Sequence, residues 1–83
     1  MSGSKIVKQM LIENKMPIKS IAKKMGIKPQ SLSNKINRDS FTVEDMLIIA
    51  DILNCEVKFV MRSTGKEIIP DIPEYHEEEP DPQ

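Results

Sequence analysis

Ser20 to Ile36 reads SIAKKMGIKPQSLSNKI, and the offsets of its small, apolar and conformationally permissive residues dictate two short helices folded against each other through a tight turn. Ala22 is small enough for a second helix to come close. Four residues on, Gly26 takes a positive φ at little cost, which ends the first helix and starts the turn. Ile27 fills the elbow. Pro29 suits the first position of the next helix, where its missing N–H would have no partner, and Leu32 and Ile36 repeat at i, i+4 to face the first helix. Gln30, Ser31, Ser33, Asn34 and Asn37 are left on the outer side. Helices joined in this way cross at roughly 90 to 120°, the arrangement of a helix-turn-helix.

Outward from this stretch, the spacing predicts a mainly α fold with helices at about 5–14, 18–25, 29–37 and 43–53. The first buries Ile6, Val7, Met10 and Leu11 and leaves Lys5, Lys8 and Gln9 in water. Phe41-Thr42-Val43-Glu44-Asp45 reads as the start of the fourth, with Thr42 capping and two acids complementing the positive helix end. Met46, Leu47, Ile49, Ala50 and Leu53 give that helix the broadest apolar face in the chain, and Asn54 is a left-handed terminator. The period then changes from helix to strand: Cys55, Val57, Phe59 and Met61 alternate with more polar neighbours. Arg62 to Gly65 form a turn, with Gly65 at a positive-φ position. Lys66 to Ile69 return, so a hairpin is expected over about 55–69. Residues 1–69 make one domain. The tail PDIPEYHEEEPDPQ, residues 70–83, is acidic and proline-rich and is expected to be disordered, having too little apolar surface to offset ordering.

The 83 residues carry a formal net charge of -1, which conceals an asymmetry. Residues 1–38 hold nine Lys or Arg against the single acid Glu13, a net +8, while residues 70–83 carry six acids and no Lys or Arg. A basic part of that size calls for a polyanionic partner, since solubility needs less. No apolar run is long enough to span a bilayer, and MSGSKIVKQM lacks the apolar core of a secretory signal, so a cytoplasmic location with no membrane partner is expected. The lone Cys55 forms no internal disulfide, in keeping with a reducing compartment.

From about Lys5 to Asn54 the chain resembles the DNA-binding domain of the lambda-repressor-like, or Cro/C1-type (XRE family), helix-turn-helix regulators. SIAKKMGIKPQSLSNKI stands at the motif and FTVEDMLIIADILN at the helix that closes the core in that family. The resemblance implies a four-helix fold and a double-stranded DNA partner in a cell of bacterial or phage type. It puts Gln30, Ser31 and Asn34 where the family touches base edges, with Ser33 and Asn37 nearby for bases or phosphates. Gln and Asn pair bidentately with adenine, and Ser donates or accepts. Lys19, Lys23, Lys28, Lys35 and Arg38 are the candidates for phosphate contacts. Two positions depart from the pattern. Ile18 stands where the family often has a phosphate-binding glutamine, and Lys35 occupies a usually apolar position, the apolar residue being displaced to Ile36. The hairpin replaces the family's fifth helix.

Two function classes follow. The first is a sequence-specific regulator, a repressor that binds a pseudo-palindromic operator as a homodimer, with the hairpin residues Val57, Phe59, Met61 and Ile68 at the dimer contact. The second is a protein-interaction adaptor, antitoxin-like or anti-repressor, that uses the acidic tail or the hairpin. Catalysis is not expected: there is no second histidine, no glycine-rich phosphate loop and no flanked pair of acids. Neither a cofactor nor a metal is expected. Met10, Met25 and Met46 sit at core spacing and read as gap fillers, and His76 lies among acids that do not converge on a metal.

Overall fold

The computed structural model describes residues 2–77, which form α1 (Gly3–Asn14), α2 (Ile18–Met25), α3 (Pro29–Arg38), α4 (Val43–Ile52), β1 (Phe59–Val60) and β2 (Glu67–Ile68). The fold is mainly helical with a two-stranded antiparallel hairpin after the helices, as the sequence pattern predicts. No helix among the described residues is long and apolar enough to cross a membrane.

Each helix boundary has a local cause. α1 begins at Gly3, two residues before the start at Lys5 that the sequence pattern predicts, because the Ser2 hydroxyl accepts from the Lys5 amide at 3.2 Å and extends the helix by capping it. α2 ends where Gly26 takes φ +80°, and the Gly26 and Ile27 amides return to the carbonyls of Lys23 and Ala22. α4 opens on a reciprocal capping box: the Asp45 amide donates to the Thr42 hydroxyl, and the Thr42 amide donates to the Asp45 carboxylate, both at 3.0 Å. Its end is closed by Asn54 at φ 58°, after which the Cys55 amide donates to the Ala50 carbonyl.

The core lies where the four helices meet. Val7, Ile21, Ala22, Leu32 and Ile49 are essentially fully buried, joined by Met25, Ile36 and Leu53. Ala22 is 0% exposed, so its small side chain sets how close α3 packs on α2. A polar tie supplements this packing. Ser4, itself buried, donates its hydroxyl to the Ile36 carbonyl at 2.7 Å, and its amide donates to the Asp39 carboxylate at 2.9 Å. Asp39 therefore caps α1 from the far end of α3, and the Ser4 amide holds its carboxyl below the usual range. Leu47 and Ala50 are buried on the other side of α4, in a groove shared with Cys55, Val57, Ile69, Pro70 and Ile72.

The hairpin ladder is shorter than the alternation of Cys55 to Met61 suggests. The register pairs Phe59 with Ile68 and Val60 with Glu67. Continued toward the helices, it sets Pro70 opposite Val57, and a proline donates nothing to a ladder. At the same end, the Cys55 amide is already spent on the α4 cap. Beyond the strands, the Met61 amide donates to the Lys66 carbonyl, and Gly65 at φ +74° supplies the left-handed position of the turn.

Residues 70–77 form no helix or strand but run in contact with the helical body. Ile72 lies at the α4 groove, the Tyr75 hydroxyl donates to the Asp51 carboxylate, and Glu77 stands 4.0 Å from the Lys23 ammonium. Glu78, Glu79 and Asp81, which the sequence places in the disordered tail, lie outside the described residues.

Candidate nucleic-acid interface

At about 3.6 residues per turn, burying Leu32 and Ile36 against α2 turns Asn34 to the opposite side of α3, flanked by Gln30, Ser31, Asn37 and Arg38. All five are exposed. The Gln30 side-chain amide donates to the Asn34 side-chain oxygen at 3.1 Å, so the two amides lie side by side one turn apart. Together they offer unused donors and acceptors in one patch of surface. Ser33 is half-buried at the margin of this face.

The starts of the helices divide into two kinds. α1 and α4 are capped by the side chains of Ser2 and Thr42. α2 and α3 begin at Pro17 and Lys28, neither of which caps through its side chain, and neither helix has an acid in its first turn. The Ser20 amide turns back to the Pro17 carbonyl, but the amides of Ile18 and Lys19 in α2 and of Gln30 and Ser31 in α3 have no acceptor among the described residues, and Lys28 puts a cation at the positive end of the α3 dipole. An anion at that position would relieve both, which is how helix N-termini bind phosphate. This division is legible in the residue types at positions 2, 17, 28 and 42: Ser2 and Thr42 carry a side-chain oxygen that caps, and Pro17 and Lys28 do not.

The cations differ in availability. Lys19, Lys23, Lys28 and Arg38 are exposed. Lys35 is half-buried and donates to the Asp45 carboxylate at 2.9 Å. That pairing explains how a lysine occupies a usually apolar position: its stem lies along the core edge and its charge is met by the α4 cap. Burial pushes the Asp45 carboxyl up, but the Thr42 amide, Lys35 and the Thr42 hydroxyl outweigh it, and the carboxyl stays below its ordinary range. Ile18 packs against the core, so α2 opens on an apolar side chain.

Three of the four hairpin residues expected at a dimer contact share an exposed face: the antiparallel register puts Phe59 beside Ile68, with Met61 two residues on. Val57 is half-buried and lines the α4 groove instead. Phe59 is 58% exposed, Ile68 49% and Met61 47%. The opposite face carries Val60 and Ile69 with a Lys58–Glu67 ion pair at 2.9 Å.

No curated protein and no solved structure matches the chain. A family model described as helix-turn-helix matches residues 7–60, which takes in the helical core and reaches the first strand of the hairpin. With that match over more than half of its length, the chain belongs to the Cro/C1-type helix-turn-helix family of DNA-binding regulators.

Proposed function

We propose that the protein is a transcriptional repressor that binds a pseudo-palindromic operator as a homodimer, with α3 of each copy in the major groove. Gln30, Ser31 and Asn34 read base edges, Ser33 and Asn37 reach bases or phosphates at the margin, and Lys19, Lys23, Lys28 and Arg38 hold the backbone. Lys35 joins them when a phosphate draws its ammonium away from Asp45. The observation that carries this reading is the pairing of a polar α3 face with two uncapped helix starts on the same motif. Phosphate contacts fix orientation and amide side chains supply the sequence preference. Occupancy of a promoter then excludes polymerase.

Dimerisation is assigned to the hairpin through Phe59, Met61 and Ile68, with Val57 joining from the edge of the α4 groove. A two-stranded hairpin is marginally stable alone, and this one leaves its larger apolar side chains in water. One module on DNA buries only about 600 to 1,000 Å², so a second copy adds both affinity and specificity.

The test is a Gln30→Ala, Asn34→Ala double variant, whose exposed positions leave the core untouched. It is expected to keep wild-type helicity by circular dichroism while losing its preference for a selected operator over random duplex. A retained preference would remove α3 as the reading helix.

A further inference from the structure

Residues 71–77 are joined to the helical body at three successive points, the last of them on the helix-turn-helix. Ile72 sits at the α4 groove, Tyr75 donates to Asp51 of α4, and the His76 carbonyl lies so close over Gly26 that a methyl group there would collide with it. Glu77 then stands 4.0 Å from Lys23. Gly26 is the elbow between α2 and α3, and three peptide units separate it from Pro29, so it lies no more than about 11 Å from the start of the recognition helix. Glu77 thus brings a carboxylate to the motif at Lys23, whose side chain is exposed. The sequence goes on from there with further acids.

We infer that this acidic C-terminal segment is an internal competitor for the phosphate-binding side of the helix-turn-helix, docked through Tyr75 and Glu77 and displaced when a nucleic-acid backbone takes its place. This rests on the assignment of Lys23 as a phosphate contact. The docked segment contributes carboxylates where DNA would contribute phosphates, and Gly26 lets its backbone lie against the elbow. Tyr75 supplies the anchor without charge: its hydrogen bond to Asp51 fixes the chain direction just before Glu77. Because one exposed ion pair and one hydrogen bond are each modest, the device lowers DNA affinity without abolishing it.

The full-length Tyr75→Phe, Glu77→Gln double variant tests this. Its affinity for a random-sequence duplex is measured beside wild type and a Glu13→Gln control, which removes one acid from the exposed surface of α1. Roughly tenfold tighter binding by the double variant at low salt is expected, with the gain shrinking as salt screens the carboxylates and with the control close to wild type. A second readout uses the only tyrosine in a chain without tryptophan: Tyr75 emission is expected to change when inorganic polyphosphate is added to wild type. Wild-type binding with no gain in the double variant overturns the inference and leaves the DNA reading intact. An equal gain in Glu13→Gln overturns it as well, since net charge alone would then account for the effect, and unchanged emission at saturating polyphosphate does the same. Failure of every chain to bind duplex DNA overturns the phosphate-contact assignment and this inference with it.

Discussion

Asp45 joins three parts of the molecule through one carboxylate. Its oxygen accepts from the Thr42 amide at 3.0 Å and from the Lys35 ammonium at 2.9 Å, while its own amide donates to the Thr42 hydroxyl. Asp45→Asn removes the charge that holds Lys35 and weakens the capping box, and a loss of roughly 1 to 2 kcal/mol at neutral pH is expected from denaturant unfolding. The sign with pH follows from its lowered folded pKa. The stabilisation is complete above the ordinary carboxylate value and is lost as pH falls through the folded one. The gap between wild type and variant is therefore expected to close as pH is taken below about 4. Lys28 presents the opposite case, a cation at a helix start whose first turn carries no acid. Lys28→Ala is expected to weaken binding to all duplexes alike and to lower the slope of log affinity against log salt by about 1. A selective loss on one sequence would move Lys28 from the backbone to a base.

The helices were legible because short-range rules fix them. Gly26, Pro29 and Thr42 set their boundaries within three or four residues, and the buried positions of α2 and α3 follow the i, i+4 repeat that the sequence displays. The hairpin was legible only in outline. Alternation marked Cys55 to Met61 as a strand, but its length depends on register, and register sets Pro70 against Val57. In the same way, the outward set Gln30, Ser31 and Asn34 could be read from α3 alone, whereas the Lys35–Asp45 pair spans ten positions and two elements. Tyr75 was beyond reach for the same reason, since its partner Asp51 belongs to another element 24 residues away. What the register does settle is that Phe59, Met61 and Ile68 share one exposed face. Phe59→Lys places a charge at the centre of it. The variant is expected to run as a monomer in light scattering, with its helices intact by circular dichroism. A persistent dimer would place the contact on the helices, where Val43 is 64% exposed.

At the scale of the whole molecule, the reading face proposed on α3 and the dimer face proposed on the hairpin lie on different parts of the chain. The contact proposed for the hairpin leaves α3 free, so the separation between the two recognition helices is set by how the hairpins pair. Two copies related by a two-fold axis read a two-fold sequence, and their recognition helices reach successive major grooves on one side of the duplex when the half-sites are about 34 Å apart. Selection from a random DNA pool is expected to enrich such a motif. Insertion of about five base pairs between the half-sites then turns the second one to the far side of the helix, given roughly 10 base pairs per turn. Only one module can then bind without deforming the hairpin contact or the DNA. Affinity should drop to that of a single half-site, and insertion of about ten should restore part of it. Equal affinity for all three spacings would mean that the two modules bind independently, and the hairpin face would then be free for a partner other than a second copy.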